Sequence, residues 1–311
     1  MNRRDWLLAA SALAAAMPVA TMAQGFPSKP LNLVVPFPPG GTTDMAARTL
    51  GAQLSTSLSQ PVVIQNRPGA QGAIGAEQVA KSSPDGHTLL LSNFTPLTLK
   101  PHLIPDGSTL KSLTPIGSLA YLPQALVTTR FSSVGDMKRR RIAFGHSGNG
   151  SLSHLLAILL ARQLGSRADY APYRGIAPLL LELQNGQVEA AVLPMGSVLS
   201  MTQAGKIKIL AVTTPTSTAQ GVPTFEETGL GGAAFQDWLG LLAPPGVPKE
   251  IVIRLNAALN RIVQMAEVQQ RLTSVGAMPQ LSSPEQWGAL IRLYSDRMGA
   301  VIREEGITAN S

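Results

Sequence analysis

The chain of 311 residues contains no cysteine. That absence excludes a disulfide-stapled scaffold, a thiol nucleophile and every zinc site built on cysteine. Charge is scarce as well: Asp, Glu, Lys and Arg together make up 14% of the residues, against roughly 25% in an average soluble domain. Aromatic residues are only 5%, whereas hydrophobic residues reach 44%. A chain so apolar and so lightly charged is not disordered, because disorder requires low hydrophobicity and high net charge. Its histidines, His87, His102, His146 and His154, lie far apart and outside any HExxH pair, so no metal and no cofactor is expected. Beyond the first residues, no apolar run approaches the ~20 residues that a membrane-spanning helix needs.

The charge that is present has one sign in excess, with 25 Lys+Arg against 18 Asp+Glu for a net +7. The one dense basic cluster, Lys138-Arg139-Arg140-Arg141, has neither interleaved aromatics nor a recognition motif. It reads as solvated surface, and nucleic acid is not an expected partner. Residues 1–23 run from Arg3 and Arg4 through an apolar stretch between Trp6 and Met17 to small residues ending at Ala23. That is the order of an export signal, of the Sec or the twin-arginine kind, cleaved near Ala23. The mature chain is therefore expected in the periplasm.

The remainder alternates strand and helix signals. Leu31-Asn32-Leu33-Val34-Val35 is a buried-strand run closed by Pro36, Pro38, Pro39, Gly40 and Gly41. Thr42-Thr43-Asp44 offers N-cap chemistry to the helix that follows. Further strands are expected at 61–64 and 88–91, with a small-residue helix between them. The alternation restarts with strands at 124–128, 141–144, 168–173, 188–193 and 207–212, and with helices after Ser151 and over 177–183. The tail is helical, with Pro248 at one helix start and Ser283-Pro284-Glu285-Gln286 as a capping box at another. Such alternation predicts an α/β fold with parallel sheets covered by helices. The expected organisation is two lobes: 24–124 as the first part of lobe 1, 125–230 as lobe 2, and 231–311 returning to lobe 1 with the C-terminal helices.

Two glycine-rich strand-to-helix turns, one per lobe, are the strongest local signal. The first is Phe37-Pro38-Pro39-Gly40-Gly41-Thr42-Thr43-Asp44, and the second is Gly145-His146-Ser147-Gly148-Asn149-Gly150-Ser151. Each sets backbone N–H groups, small hydroxyls and the positive end of a helix at the carboxyl edge of a strand, where α/β sheets bind ligands and anions are favoured. Facing each other, such turns would grip a small carboxylate. The same residues also serve ordinary capped loops, and both readings stand at this point. Neither turn contains a P-loop or GxGxxG. A serine hydrolase would draw on His146 or His154 with Ser147, Ser151 or Ser153, but no GxSxG elbow accompanies them, and the chain is not expected to be an enzyme.

Beyond the turns the sequence carries Asn66-Arg67-Pro68-Gly69-Ala70, Pro84-Asp85-Gly86, Pro172-Tyr173 with Gly175 and Ala177-Pro178, and Gly186-Gln187-Val188. Ala204-Gly205-Lys206, Val222-Pro223-Thr224 and Gly240-Leu241-Leu242-Ala243-Pro244 follow. In this order and spacing the chain resembles the extracytoplasmic solute receptors of tripartite tricarboxylate transporters, the Bug family, over essentially all of 26–307. The resemblance implies a type II periplasmic-binding-protein fold, two α/β lobes closing on a ligand, in a monomer that hands a small carboxylate to membrane permease subunits. A ligand-sensing receptor for a membrane signalling partner, without bulk transport, would use the same site. Carried onto this chain, the ligand-binding residues are Phe37, Pro39, Gly41 and Thr43 of the first turn and Ser92, Asn93 and Thr95 after the third strand. The second turn adds His146, Ser147, Gly148, Asn149 and Ser151, and the later strand end adds Leu193. Leu193-Pro194-Met195 stands where many members carry an acidic residue suited to an amino group, which argues against amino-acid ligands. The family's helix between Ser133 and Ile142 is expected to be cut short.

Overall fold

The structure is a computed structural model that describes residues 25–104 and 107–308. The export signal read at 1–23 lies outside the described residues.

Strand β1 (Leu31–Val35) is the organising strand of the first sheet, flanked in parallel by β2 (Val62–Asn66) and β3 (Thr88–Ser92). Its side chains alternate between two helical covers, as the period of a strand requires. Leu31, Leu33 and Val35 pack with Ala46, Ala47, Leu50 and Leu54 of α1 (Thr42–Leu58), while Val34 joins Ala73, Ala76 and Val79 of α2 (Ala73–Ala80) in a separate cluster. Both faces being covered, β1 reads as a continuous apolar run.

The all-parallel expectation is corrected by two strands without a strong sequence signal, β4 (Thr114–Leu122) and β10 (Asp237–Ala243). The sheet order is β11-β4-β10-β3-β1-β2, with β10 antiparallel to both β3 and β4 and the short β11 (Met278–Pro279) at the edge. The pattern of β10 is weakened by Gly240, and the structure shows why glycine stands there. A Cβ on Gly240 would fall 2.2 Å from Cζ2 of Trp287 and 2.9 Å from the carbonyl oxygen of Gly117. Trp287, wholly buried, comes from the C-terminal helix Pro284–Glu304 and stacks on Phe94 with ring centroids 5.3 Å apart.

The second sheet has the order β7-β6-β8-β5-β9, built from β5 (Gln124–Thr128), β6 (Arg141–His146), β7 (Arg167–Pro172), β8 (Ala190–Pro194) and β9 (Lys208–Val212). β6 runs parallel to β7 and β8, whereas β5 is antiparallel to β8 and β9. Helices α3 (Leu152–Leu164), α4 (Ile176–Gln184) and α5 (Met195–Gln203) follow β6, β7 and β8. A single 3-10 turn, Gly135–Met137, is all the helix between β5 and β6. Arg141 of the basic cluster pairs with Asp169 at 2.7 Å on the exposed surface. The chain crosses from the first sheet to the second at Leu122-Pro123-Gln124 and returns between β9 and β10.

The tail supplies α6 (Lys249–Val263), α7 (Ala266–Ser274) and α8 (Pro284–Glu304). The capping box forms as read: Gln286 N–H donates to Ser283 Oγ (3.2 Å) and Ser283 N–H to Gln286 Oε1 (2.8 Å). Among the described residues, no helix is long and apolar enough to cross a membrane.

Gly240→Ala should force Trp287 off β10 and cost about 1–3 kcal/mol of unfolding free energy, read by urea denaturation. Unchanged stability would mean that the indole does not sit on that glycine.

Candidate functional site

The first turn connects β1 to α1 and is held by an acid. Gly41 is the N-cap residue, in extended conformation and without any side-chain cap, and of the expected capping residues Thr42, Thr43 and Asp44 it is the acid that serves the turn. Asp44, inside the first helical turn, reaches back to accept the Gly40 N–H at 2.9 Å. Its carboxylate also accepts two bonds from Arg48 (2.9 and 3.0 Å) and one from Asn66 Nδ2 (2.9 Å). Burial would raise the pKa of Asp44; the donors of Arg48, Gly40 and Asn66 outweigh it and hold the carboxyl below its ordinary value. The left-handed residue of this turn is Gly40 (φ 84°), while a Cβ at Gly41 would meet only Pro38 O at 3.8 Å. Pro39 and Gly41 are exposed, Phe37 is half-buried and Thr43 is buried.

The loop after β3 is tied to the returning strand. Asn93 Nδ2 donates to Asp237 Oδ2 (2.9 Å), and the N–H groups of Phe94 and Trp238 both donate to Asp237 Oδ1 (3.0 Å each). Thr95 N–H closes on Asn93 Oδ1 at 3.3 Å. Ser92 is fully buried, its hydroxyl donating to Asn93 O. Ser92 and Asn93 thus have structural partners of their own.

The second turn, between β6 and α3, is knitted around Ser153. Its Oγ accepts the Ser147 N–H (3.0 Å) and bonds the hydroxyls of Ser147 (3.0 Å) and Ser151 (2.9 Å). Ser151 caps α3 by accepting the His154 N–H, and Gly150 N–H donates to His154 Nδ1 at 3.3 Å. Gly148 (φ 125°) and Gly150 (φ 67°) take the left-handed positions that this winding demands. His146 is buried, with its ring stacked on His154 at 4.1 Å. Leu193 is buried in the core of the second lobe with Ala125, Leu179 and Val188, on β8, which runs parallel to β6 with Ala191 beside Gly145.

One residue missed in sequence joins the two turns. Gln71 Nε2 donates to Ser147 O at 3.1 Å across the lobes. It sits in a run of four positive φ angles, Gly69 (137°), Ala70 (47°), Gln71 (55°) and Gly72 (93°), a conformation that costs non-glycine residues about 1 kcal/mol or more each. Gly72 is pressed between Phe37 and Pro96: a Cβ there would lie 3.2 Å from an atom of each. The sequence signal was small residues flanking a lone glutamine, which reads as loop and nothing more. The first turn, the 69–72 loop and the second turn therefore converge.

Residues 46–307 match the family described as tripartite tricarboxylate transporter family receptor. The chain belongs to that family. The protein BugT of Bordetella pertussis is 35% identical over 298 residues, covering 91% of each chain. An R. palustris protein solved with adipate superposes with a TM-score of 0.81 at 32% identity, covering 91% of this chain and 99% of that one. MatC of Rhodopseudomonas palustris, solved with bound malate, gives 0.77 at 30% identity over 89% and 100% of the two chains. The two sheets are accordingly the two lobes of a type II periplasmic-binding-protein fold, and the converging loops meet across them.

In this tripartite tricarboxylate receptor the second turn also disfavours the charged form of its two imidazoles. Burial, and after it the adjoining His146 ring, pushes His154 down to about 4. Burial holds His146 below its ordinary value too. Among the described residues no hydrogen bond joins either ring to a serine hydroxyl, and the His154 ring accepts the Gly150 N–H instead. Between about pH 4 and 6.5 the unfolded chain binds a proton at position 154 that the folded chain does not, so this group makes stability rise with pH across that window. His154→Gln should flatten the rise between pH 4.5 and 7 by about 2 kcal/mol, measured by denaturation at both pH values. An unaltered pH slope would show that the ring titrates as it does in water.

Proposed function

We propose that this protein captures a small organic carboxylate between its lobes in the periplasm and delivers it to the membrane subunits of a tripartite tricarboxylate-type transporter. The observation that carries the reading is the meeting of the first-lobe loops with the second turn through Gln71 and Ser147. A ligand lodged there touches both lobes at once, and contacts available only in the closed form are what shift a two-lobed protein toward closure. Two relatives, one solved with adipate and one with bound malate, support a carboxylate as the ligand. The helix N-terminus of α3 and the backbone of the glycine turns are the natural donors for one.

The test is titration calorimetry on protein unfolded and refolded to strip any resident ligand, against adipate, malate and a range of mono- and dicarboxylates. At least one should bind saturably and, at 100 times its Kd, stabilise the fold by about 2.7 kcal/mol. Silence across the panel would sink the receptor reading. For the bound carboxylate, Gln71→Ala should weaken affinity about 2- to 10-fold, as expected for loss of one hydrogen bond in the closed state. Unchanged affinity would remove Gln71 from the closure contact.

A further inference from the structure

Lys100 opens the short helical turn Lys100–Leu103, directly after the π-helical turn Thr95–Leu99 that follows β3. Although a lysine, it is 5% exposed. Its Nζ lies 3.1 Å from the point that a Cβ on Gly150 would occupy, with Leu103 Cδ1 at 2.7 Å from the same point. An ammonium of the first lobe therefore rests against the second turn of the second lobe, one residue before the cap of α3. Among the described residues no carboxylate pairs with it and no hydrogen bond takes its protons. Burial alone acts on the group and pushes its pKa down.

The surroundings make this cation less comfortable. The positive end of the α3 dipole points into the same region. The nearby imidazoles, His146 and His154, supply no negative charge, and burial disfavours their protonation. Long charged side chains are almost never fully buried without a partner, because desolvation disfavours the charged form strongly. A cation and a helix N-terminus converge here in a largely buried spot between two lobes, with no carboxylate among the described residues paired to the cation, an arrangement suited to an anion from outside the chain.

We infer that Lys100 is the charged anchor of the ligand: its ammonium takes a carboxylate of the bound anion against the second turn, at the N-terminus of α3. This rests on the receptor reading and sharpens it, since the ligand must carry a full negative charge at that end. A site that buries an ammonium rejects the neutral isostere, because the amide leaves the charge unpaired. A lysine that merely held the lobes in shape would show no such preference and would be missed by the free protein when removed.

The experiment compares wild type, Lys100→Met and Lys100→Gln in the refolded, ligand-free state, using the carboxylates of the calorimetric panel, adipate and malate among them, and their amide analogues. Lys100→Met should bind the carboxylate at least about 30-fold more weakly, with ligand-free thermal stability equal to or above wild type, since an uncompensated buried charge has been removed. Wild type should prefer the acid over its amide by a similar factor, and both variants should lose most of that preference. Acid and amide binding equally to wild type, or the variants matching wild type in affinity, would overturn the role of Lys100 while leaving the receptor reading intact. A marked loss of ligand-free stability in both variants, with the acid–amide preference retained, would likewise overturn it in favour of a structural lysine. If wild type binds no carboxylate at all, the receptor reading falls and this inference falls with it.

Discussion

The carboxylate of Asp237 ties the loop after β3 to the strand that returns from the second sheet. It stands where the chain re-enters the first sheet from the second, fully enclosed, and accepts the N–H groups of Phe94 and Trp238 and the amide of Asn93. Burial still raises its pKa to about 6 against these three donors, so holding the charge there is costly in itself. In return, the loop after β3 is fastened to a strand that belongs to the crossing between lobes. Everything downstream of that loop inherits its position: the stack of Phe94 on Trp287, the π-helical turn, and Lys100 at the end of it. A loop fixed only by its own backbone would leave these groups free to drift relative to the second lobe. Preorganisation of this kind reduces the ordering cost on binding.

The two turns reach similar shapes by different chemistry. The first relies on one acid, Asp44, whose four donors come from Gly40, Asn66 and twice from Arg48. The second relies on one hydroxyl, Ser153, that gathers Ser147 and Ser151. Neither device is a conventional cap from the residue at the helix boundary, except for Ser151 on α3. In both turns the side chains that look available for a ligand in sequence are partly committed to the turn itself. Under the proposed function, recognition then falls to backbone groups, the α3 terminus and side chains arriving from elsewhere, namely Gln71 and Lys100.

The lobed α/β architecture was legible because β1, β5, β6, β8 and β9 are dense apolar runs and because glycine, proline and capping residues punctuate them. The Ser283 capping box was legible for the same reason: its partners are three residues apart. What escaped is non-local. β10 is broken by Gly240 to admit an indole from 47 positions later in the chain, and β4 opens on Thr114-Pro115 and carries Gly117, so neither shows a strand's own pattern. The site residues divide in the same way. The turns announce themselves through glycine, whereas Leu193 and Ser92 belong to the interior, and Gln71 acquires its meaning only from the backbone conformation of 69–72 and from the facing turn.

Low overall charge makes the individual charges more informative. In a chain with 14% charged residues, most lysines and arginines can be seated at the surface without crowding, as Arg141 with Asp169 illustrates. Burying one is then no accident of packing density, because an apolar residue of similar length would fill the space near Gly150 and Leu103 without any desolvation cost. The net excess of basic residues says little by itself, since scattered surface charge is screened by salt within about 10 Å. A single ammonium largely withdrawn from water is screened less, and its field is felt at short range by whatever binds beside it. On the role proposed for Lys100, selectivity for an anion is a matter of where one positive charge is placed rather than how many there are.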